Sequence, residues 1–105
     1  MMKHFWLLAM IVVLITGCSQ SLYMQGRRHL ENERFDPAIE AFYAEIGANP
    51  TNFKAWRELG IAYYEMGDLT KAEDALSQAG NIRPDARTQL YLGMINRSAG
   101  ITEQG

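Results

Sequence analysis

The fold is indicated most clearly by residues 53–85, FKAWRELGIAYYEMGDLTKAEDALSQAGNIRPD. Two runs of apolar residues in this stretch recur at helical spacing: Trp56, Leu59, Tyr63 and Met66, then Leu69, Ala72, Ala75, Leu76 and Ala79. Gly67-Asp68 separates the runs, and Asp68 is a suitable N-cap for the second helix. Pro84 disfavours helix in the residue before it and so ends the segment. The stretch therefore predicts two helices joined by a tight turn.

The same pattern occurs earlier in the chain at an offset of 34 residues. The matching pairs are Leu22 and Trp56, Gly26 and Gly60, Phe35 and Leu69, Ala38 and Ala72, Ala41 and Ala75, Phe42 and Leu76, and Pro50 and Pro84. A partial third copy follows, with Leu92-Gly93 placed 33 residues after Leu59-Gly60. A constant offset of this size indicates a repeat architecture, in which neighbouring helix pairs share one core.

The spacing Trp56-x2-Leu59-Gly60-x2-Tyr63, followed by Ala72-x3-Leu76 and Pro84, resembles the tetratricopeptide (TPR) repeat. The resemblance implies an all-α fold, a TPR-like α-solenoid of about two and a half helix-turn-helix repeats. The repeats would cover about residues 19–52 and 53–85, with a half-repeat at 86–100, inside a TPR domain at 22–105. Pairs of antiparallel helices would then stack into a right-handed superhelix.

Local signals refine this prediction at three positions. Gly60 and Gly93 have no side chain and are expected to let paired helices approach closely. Asp36-Pro37 is expected to start the second helix of the first repeat, with proline at the first helical position.

The residue pattern at the N-terminus is typical of a targeting segment. Eleven apolar residues, 5–15, follow a short start containing Lys3. They are too few for a membrane-spanning helix, which needs about 20 residues, but they fit the apolar region of a secretory signal. An uncleaved short anchor, or a buried helix with a chance cysteine, remains the alternative.

Leu14-Ile15-Thr16-Gly17-Cys18 resembles the lipobox of bacterial lipoproteins. The resemblance implies a signal peptide at 1–17, cleavage between Gly17 and Cys18, and a diacylglycerol and N-acyl chain, such as palmitate, on Cys18. Residues 18–21 would be the acylated cysteine and a short tether. Ser19 resembles the class sorted to the periplasmic face of the outer membrane. In a Gram-positive host the anchor would be in the cell membrane.

Composition limits the other possibilities. A chain of 105 residues with a net charge of −2 has room for one small domain and is not basic enough to suggest nucleic-acid binding. A single cysteine excludes an internal disulfide. The two histidines are His4, in the signal, and His29, at a packing position, and the carboxylates look like solvated helix faces. We therefore expect no enzyme activity, metal or cofactor apart from the lipid.

The TPR resemblance also implies a concave face for binding a protein or peptide. The positions that face this groove in the family are Tyr23, Arg27 and Leu30, then Lys54, Arg57, Ile61 and Tyr64, then Arg87, Leu90, Met94 and Arg97. Arginines among aromatic and aliphatic residues suit a peptide, especially one with a carboxylate, because a guanidinium pairs with that group through two hydrogen bonds. The alternative is a set of solvated arginines and scattered surface apolar residues.

Together these features predict a membrane-anchored TPR adaptor lipoprotein in envelope assembly. It is similar to small TPR lipoproteins of pilus and secretion systems, such as pilotins and the tight-adherence (Flp) pilus lipoprotein, whose partners are secretins or pilus components. The alternative is a scaffold that regulates peptidoglycan hydrolases or synthases. The last helix is apolar on more than one side, so it is either a terminal cap or a surface for a partner or a second copy.

Overall fold

A computed structural model describes residues 21–104, with side chains for residues 21–99. All regular structure in this part of the chain is helical: α1 (Leu22–Glu31), α2 (Phe35–Ala48), α3 (Phe53–Met66), α4 (Leu69–Ile82) and α5 (Ala86–Gln104). The predicted all-α, TPR-like solenoid is confirmed, with two helix pairs followed by one further helix. The predicted signal peptide at 1–17 and the acylated Cys18 lie outside the described residues.

Short turns set the arrangement of the helices. Two or three residues join the members of each pair, so α1 and α2 are antiparallel, as are α3 and α4. Each helix packs on the next one along the chain, and α1 also touches α3 directly. The first helices of successive repeats, α1, α3 and α5, therefore line one side of the stack.

Three of the helices begin with a side-chain cap. The hydroxyl of Ser21 accepts a hydrogen bond from the N–H of Met24 at 3.1 Å, and Asp68 accepts one from the N–H of Lys71 at 3.2 Å. Asp85 caps α5 in the same way, by accepting a hydrogen bond from the N–H of Thr88. Each cap satisfies a backbone donor that the first turn of a helix leaves unpaired.

The start predicted for α2 is wrong by two residues. The helix begins at Phe35, so Pro37 occupies its third position rather than its first. Proline is tolerated there because the first four N–H groups of a helix have no partner inside the helix. The preceding turn contains Glu33 with a φ of 58°, and Gly67, 34 positions later, has a φ of 88°. Both turns therefore use a left-handed residue.

Two glycines bring the helices of each pair together. A Cβ at Gly26 would lie 2.6 Å from Cε1 of Phe42, and one at Gly60 would lie 2.5 Å from Cγ of Leu76. The close approach predicted at Gly60 is confirmed. The prediction for Gly93 is wrong, because a Cβ there would have no neighbour within 4 Å. In the described residues no helix covers that face of α5.

The core lies both within and between the helix pairs. Its large members, Phe42, Leu59 and Leu76, are fully buried, and small residues let the helix axes approach around them: Ala38, Ala55, Ala72 and Ala75. Ile95 connects α5 to the same cluster. The 34-residue spacing of Phe42 and Leu76 thus places one large side chain at the centre of each repeat.

Candidate functional site

A cleft of about 250 Å³ lies on the side formed by α1, α3 and α5. Its lining residues are Arg27, Leu30, Glu31, Glu33, Glu58, Ile61, Glu65 and Arg87, and we call it the groove. Glu58, Ile61 and Glu65 are spaced by three and four residues on α3, so the geometry of the helix places all three on one face. The groove therefore combines an apolar floor with charged walls.

An ion-pair network holds α5 against α3 at one end of the groove. Nη1 of Arg57 lies 2.6 Å from Oδ2 of Asp85. The other oxygen of Asp85, Oδ1, accepts a hydrogen bond of 2.7 Å from the N–H of Thr88 and so caps α5. Burial by itself would raise the pKa of Asp85, but the hydrogen bonds from Thr88 and Arg57 outweigh it and lower that pKa. Asp85 thus joins the two helices and starts one of them.

Arg57 is enclosed by this network. Burial acts to lower the pKa of its guanidinium, but the hydrogen bond to Asp85 and the charge of Glu58 outweigh burial and raise it. Its side chain is 12% exposed. Arg57 is therefore a half-buried cation that the ion-pair network holds in place.

Glu58 is the most deeply buried charged residue of the groove, with 1% of its surface exposed. Its Oε1 lies 3.3 Å from Nη2 of Arg57 and 3.4 Å from Nη1 of Arg87. Its Oε2 has no hydrogen-bond partner among the described residues. Both ion pairs are long compared with about 2.8 Å for a strong charge-assisted hydrogen bond. The interpretation of the carboxylates as solvated faces is therefore wrong for Glu58.

The residues predicted for the groove fall into three groups. Arg27, Leu30, Ile61 and Arg87 line it. Three others are half-buried and contact neighbouring side chains: Arg57 in the ion-pair network, Tyr23 with its ring 6.3 Å from that of Phe42, and Tyr64 edge-on to Tyr91 at 5.3 Å. The remaining four are not among the lining residues: Lys54, Leu90 and Arg97 are exposed, and Met94 is half-buried. Whether any of them binds a partner stays a prediction.

The acidic residues of the groove were missed from sequence. A signal existed, since Glu58 and Glu65 flank Ile61 at helical spacing. Their presence changes the expected ligand. Arg27 pairs with Glu31 at 3.3 Å and Arg87 with Glu58, so the arginines are already neutralised within the chain. The structure therefore does not favour the carboxylate ligand that the arginines suggested.

Among the described residues, no group of three or more His, Cys, Asp and Glu side chains could hold a metal ion. No helix within 21–104 is long and apolar enough to span a membrane.

Comparisons with known proteins agree with the helical-repeat fold. The family model for the tetratricopeptide repeat matches residues 23–87. Protein bimA of Emericella nidulans is 36% identical over 61 residues, which are 58% of this chain and 8% of that protein. Anaphase-promoting complex subunit 3 of Schizosaccharomyces pombe is 29% identical over 73 residues, 69% of this chain and 11% of that protein.

A third relative is cilia- and flagella-associated protein 70 of Homo sapiens. It is 32% identical over 76 residues, which are 71% of this chain and 7% of that protein. This chain thus spans about a tenth of the length of the relatives it matches.

Proposed function

We propose that this chain, which belongs to the tetratricopeptide repeat family, is a membrane-anchored adaptor. The repeats of this family serve as protein-interaction scaffolds and are generally non-catalytic. In this proposal the groove between α1, α3 and α5 holds a segment of another envelope protein. The observation that carries the proposal is the groove itself, a cleft with apolar residues between charged walls on the first-helix side of the repeats.

The anchor in this proposal is Cys18, acylated after cleavage behind Gly17. Helix α1 begins at Leu22 with Ser21 as its cap, which leaves residues 19–21 as the connection. Three residues span at most about 10 Å. The adaptor would therefore lie against the membrane. Loss of Lys3 with the signal would leave nine basic and twelve acidic residues, and a net charge of −3.

Substitution Cys18→Ala tests the anchor. We expect this variant to remain unprocessed or to leave the membrane fraction, because two acyl chains give stable anchoring and an unacylated chain has none. The measurement is membrane fractionation together with the mass of the processed chain, and Ser19→Ala is the matched control. Normal processing and membrane association of Cys18→Ala would refute a lipid anchor on this cysteine.

The pathway that we propose is pilus or secretion-system assembly at the periplasmic face of the outer membrane. The supporting feature is the lipobox-like segment joined to TPR repeats, a combination similar to that of pilus and secretion lipoproteins. The second candidate is a scaffold for peptidoglycan hydrolases or synthases. Both functions use the same groove, so the identity of the partner separates them.

Photo-crosslinking in intact cells tests the adaptor. A crosslinking amino acid replaces Arg27, whose side chain is 38% exposed in the groove, and a control replaces Gln78, which lies in a different cleft on α4. We expect adducts with secretin or pilus components from position 27 and none of these from position 78. Adducts with cell-wall hydrolases alone would sink the pilus assignment, and equal labelling from both positions would remove the groove as the binding site.

A further inference from the structure

The groove is acidic. Four glutamates and two arginines line it: Glu31, Glu33, Glu58, Glu65, Arg27 and Arg87. Arg27 pairs with Glu31 and Arg87 with Glu58. Glu33 and Glu65 take part in no ion pair within residues 21–99 and so leave the groove with excess negative charge. A ligand that complements this surface carries positive charge.

Glu58 supplies an unfilled position inside this acidic surface. A buried carboxylate is costly unless hydrogen bonds satisfy both of its oxygens. Here Oε1 receives two long contacts, whereas Oε2 has no hydrogen-bond partner in the described part of the chain. Oε2 can therefore accept one more hydrogen bond. None of the described side chains around Glu58 donates it, so a group from a ligand can.

Arg87 contacts the other oxygen of Glu58, Oε1, only weakly. Its Nη1 lies 3.4 Å from Oε1 of Glu58, and 48% of its side chain is exposed. A half-exposed arginine with one long contact loses little when it turns into solvent. Arg57 differs, because its 2.6 Å pair with Asp85 fixes it. A stronger external cation can therefore replace Arg87 at Glu58 while Arg57 stays in place.

The apolar floor suits the stem of a basic side chain. Leu30 is half-buried and lines the groove together with Glu58 and Glu65, and Ile61 lies beneath them with 1% of its surface exposed. Lysine and arginine bury their methylene stems on apolar surface while the charged end meets an anion or water. An acidic side chain has a shorter stem and would place like charges together.

We propose that the groove binds a lysine or arginine side chain from a basic segment of the partner. The cation displaces Arg87 from Glu58 and donates a hydrogen bond to the unpaired Oε2, the stem lies on Leu30, and Glu33 and Glu65 attract neighbouring basic residues. This rests on the proposed function, in which the groove holds a segment of another protein, and adds the chemistry of that segment.

Peptide titration of the full-length chain in non-ionic detergent tests the proposal. One fluorescein-labelled peptide alternates lysine with leucine, and a matched peptide has glutamate in place of lysine. Fluorescence anisotropy at low salt should show the lysine peptide binding at least about tenfold more tightly. Glu58→Gln should weaken that binding by about tenfold, since hydrogen bonds to charged groups contribute roughly that much.

Two further variants separate ligand binding from folding. Arg87→Met removes the competing cation and should strengthen binding of the lysine peptide several-fold, a result that a purely structural Glu58–Arg87 pair would not give. Glu73→Gln makes the same change of charge as Glu58→Gln at an exposed residue of α4, away from the groove. It should leave the affinity unchanged. If Glu58→Gln does not fold, Glu65→Gln replaces it and should also weaken binding.

Three outcomes would overturn the inference: equal or tighter binding of the glutamate peptide, equal effects of Glu58→Gln and Glu73→Gln, or no binding of either peptide. The adaptor proposal is judged separately by crosslinking from position 27. If that crosslink persists while the lysine peptide fails, the groove still binds a partner but not through a basic side chain. If the lysine peptide binds while no envelope protein is crosslinked, the adaptor proposal fails.

Discussion

Single glycines control how closely the helices of each pair approach. At Gly60 the nearest atoms to an added Cβ are Cγ of Leu76 at 2.5 Å and the backbone oxygen of Ala72 at 3.1 Å, and the latter cannot move without shifting α4. At Gly93 the corresponding space is open. These two positions share a place in the repeat but differ in what faces them.

Gly60→Ala and Gly93→Ala therefore form a matched pair. Gly60→Ala should lower the free energy of unfolding by about 1–3 kcal/mol, because overpacking outweighs the better helix propensity of alanine. Gly93→Ala should raise it by up to about 1 kcal/mol, because only the propensity term remains. Urea denaturation followed by circular dichroism measures both. Equal effects of the two substitutions would contradict the difference in packing between Gly60, which faces α4, and Gly93, which faces open space.

Tyr63 links stability to alkaline pH. Its hydroxyl lies 3.1 Å from that of Tyr43, and burial together with this hydrogen bond raises the pKa of Tyr63 from 10 to about 12. Above pH 10 the unfolded chain loses this proton while the folded chain keeps it. The stabilisation from a protonated Tyr63 is therefore complete below pH 10 and is lost as the pH rises towards 12.

The prediction is that the free energy of unfolding falls between pH 10 and pH 12 less steeply in Tyr63→Phe than in the parent chain, because phenylalanine has no proton to lose. Urea titrations at fixed pH values across this range measure the slope. Tyr91→Phe serves as a control for removing a hydroxyl elsewhere. Parallel slopes for the parent chain and Tyr63→Phe would rule out this contribution.

At the scale of elements, α5 depends on one residue for both its start and its position. Asp85 caps the helix through Thr88 and pairs with Arg57 of α3. Neither interaction involves Leu92-Gly93, the pair whose repeat offset predicted this half-repeat. The docking of α5 is thus partly polar, at the end of the groove where Glu58 and Arg87 also meet.

Asp85→Ala should lower the free energy of unfolding by about 2–4 kcal/mol, because it removes a cap and leaves the half-buried Arg57 without its main partner. Asp85→Asn keeps a good capping residue and loses only the ion pair, so its effect should be smaller. Denaturant unfolding monitored by circular dichroism compares the two. An Asp85→Asn variant as unstable as Asp85→Ala would show that the cap contributes nothing measurable.

For the whole molecule, the open surface is that of α5. Leu90 is 59% exposed, Gly93 faces open space, and the described residues place no second helix against this side. Repeat arrays usually need three or more units to bury a continuous core. A second copy placed against α5 would extend the stack.

The sequence predicts α5 either as a terminal cap or as a surface for a partner or a second copy, and the soluble chain without Cys18 tests the second copy. If a second copy docks, sedimentation velocity should show a concentration-dependent dimer, and Leu90→Glu should shift it to monomer by placing a charge in the apolar contact. Lys54→Glu, which changes an exposed residue of α3, is the control and should not alter the sedimentation. A monomer at all concentrations that still unfolds cooperatively would make α5 a simple terminal cap.

Much of the fold could be predicted from sequence because it depends on local periodicity. The 34-residue offset of Gly26 and Gly60, and of Phe42 and Leu76, predicted paired helices. The structure places Phe42 against Gly26 and Leu76 against Gly60. Helix starts were less certain, as at Phe35, because a proline can occupy any position in the first turn.

The character of the groove depended on tertiary structure. The sequence, through its resemblance to the TPR family, indicated Arg27, Ile61 and Arg87 as groove positions, and all three are among the lining residues. It could not show that Asp85 neutralises Arg57 from 28 positions away, or that Glu58 lies buried with one oxygen unpaired. Charge pairing and burial arise from contacts between different helices, and a spacing pattern within each helix contains no information about those contacts.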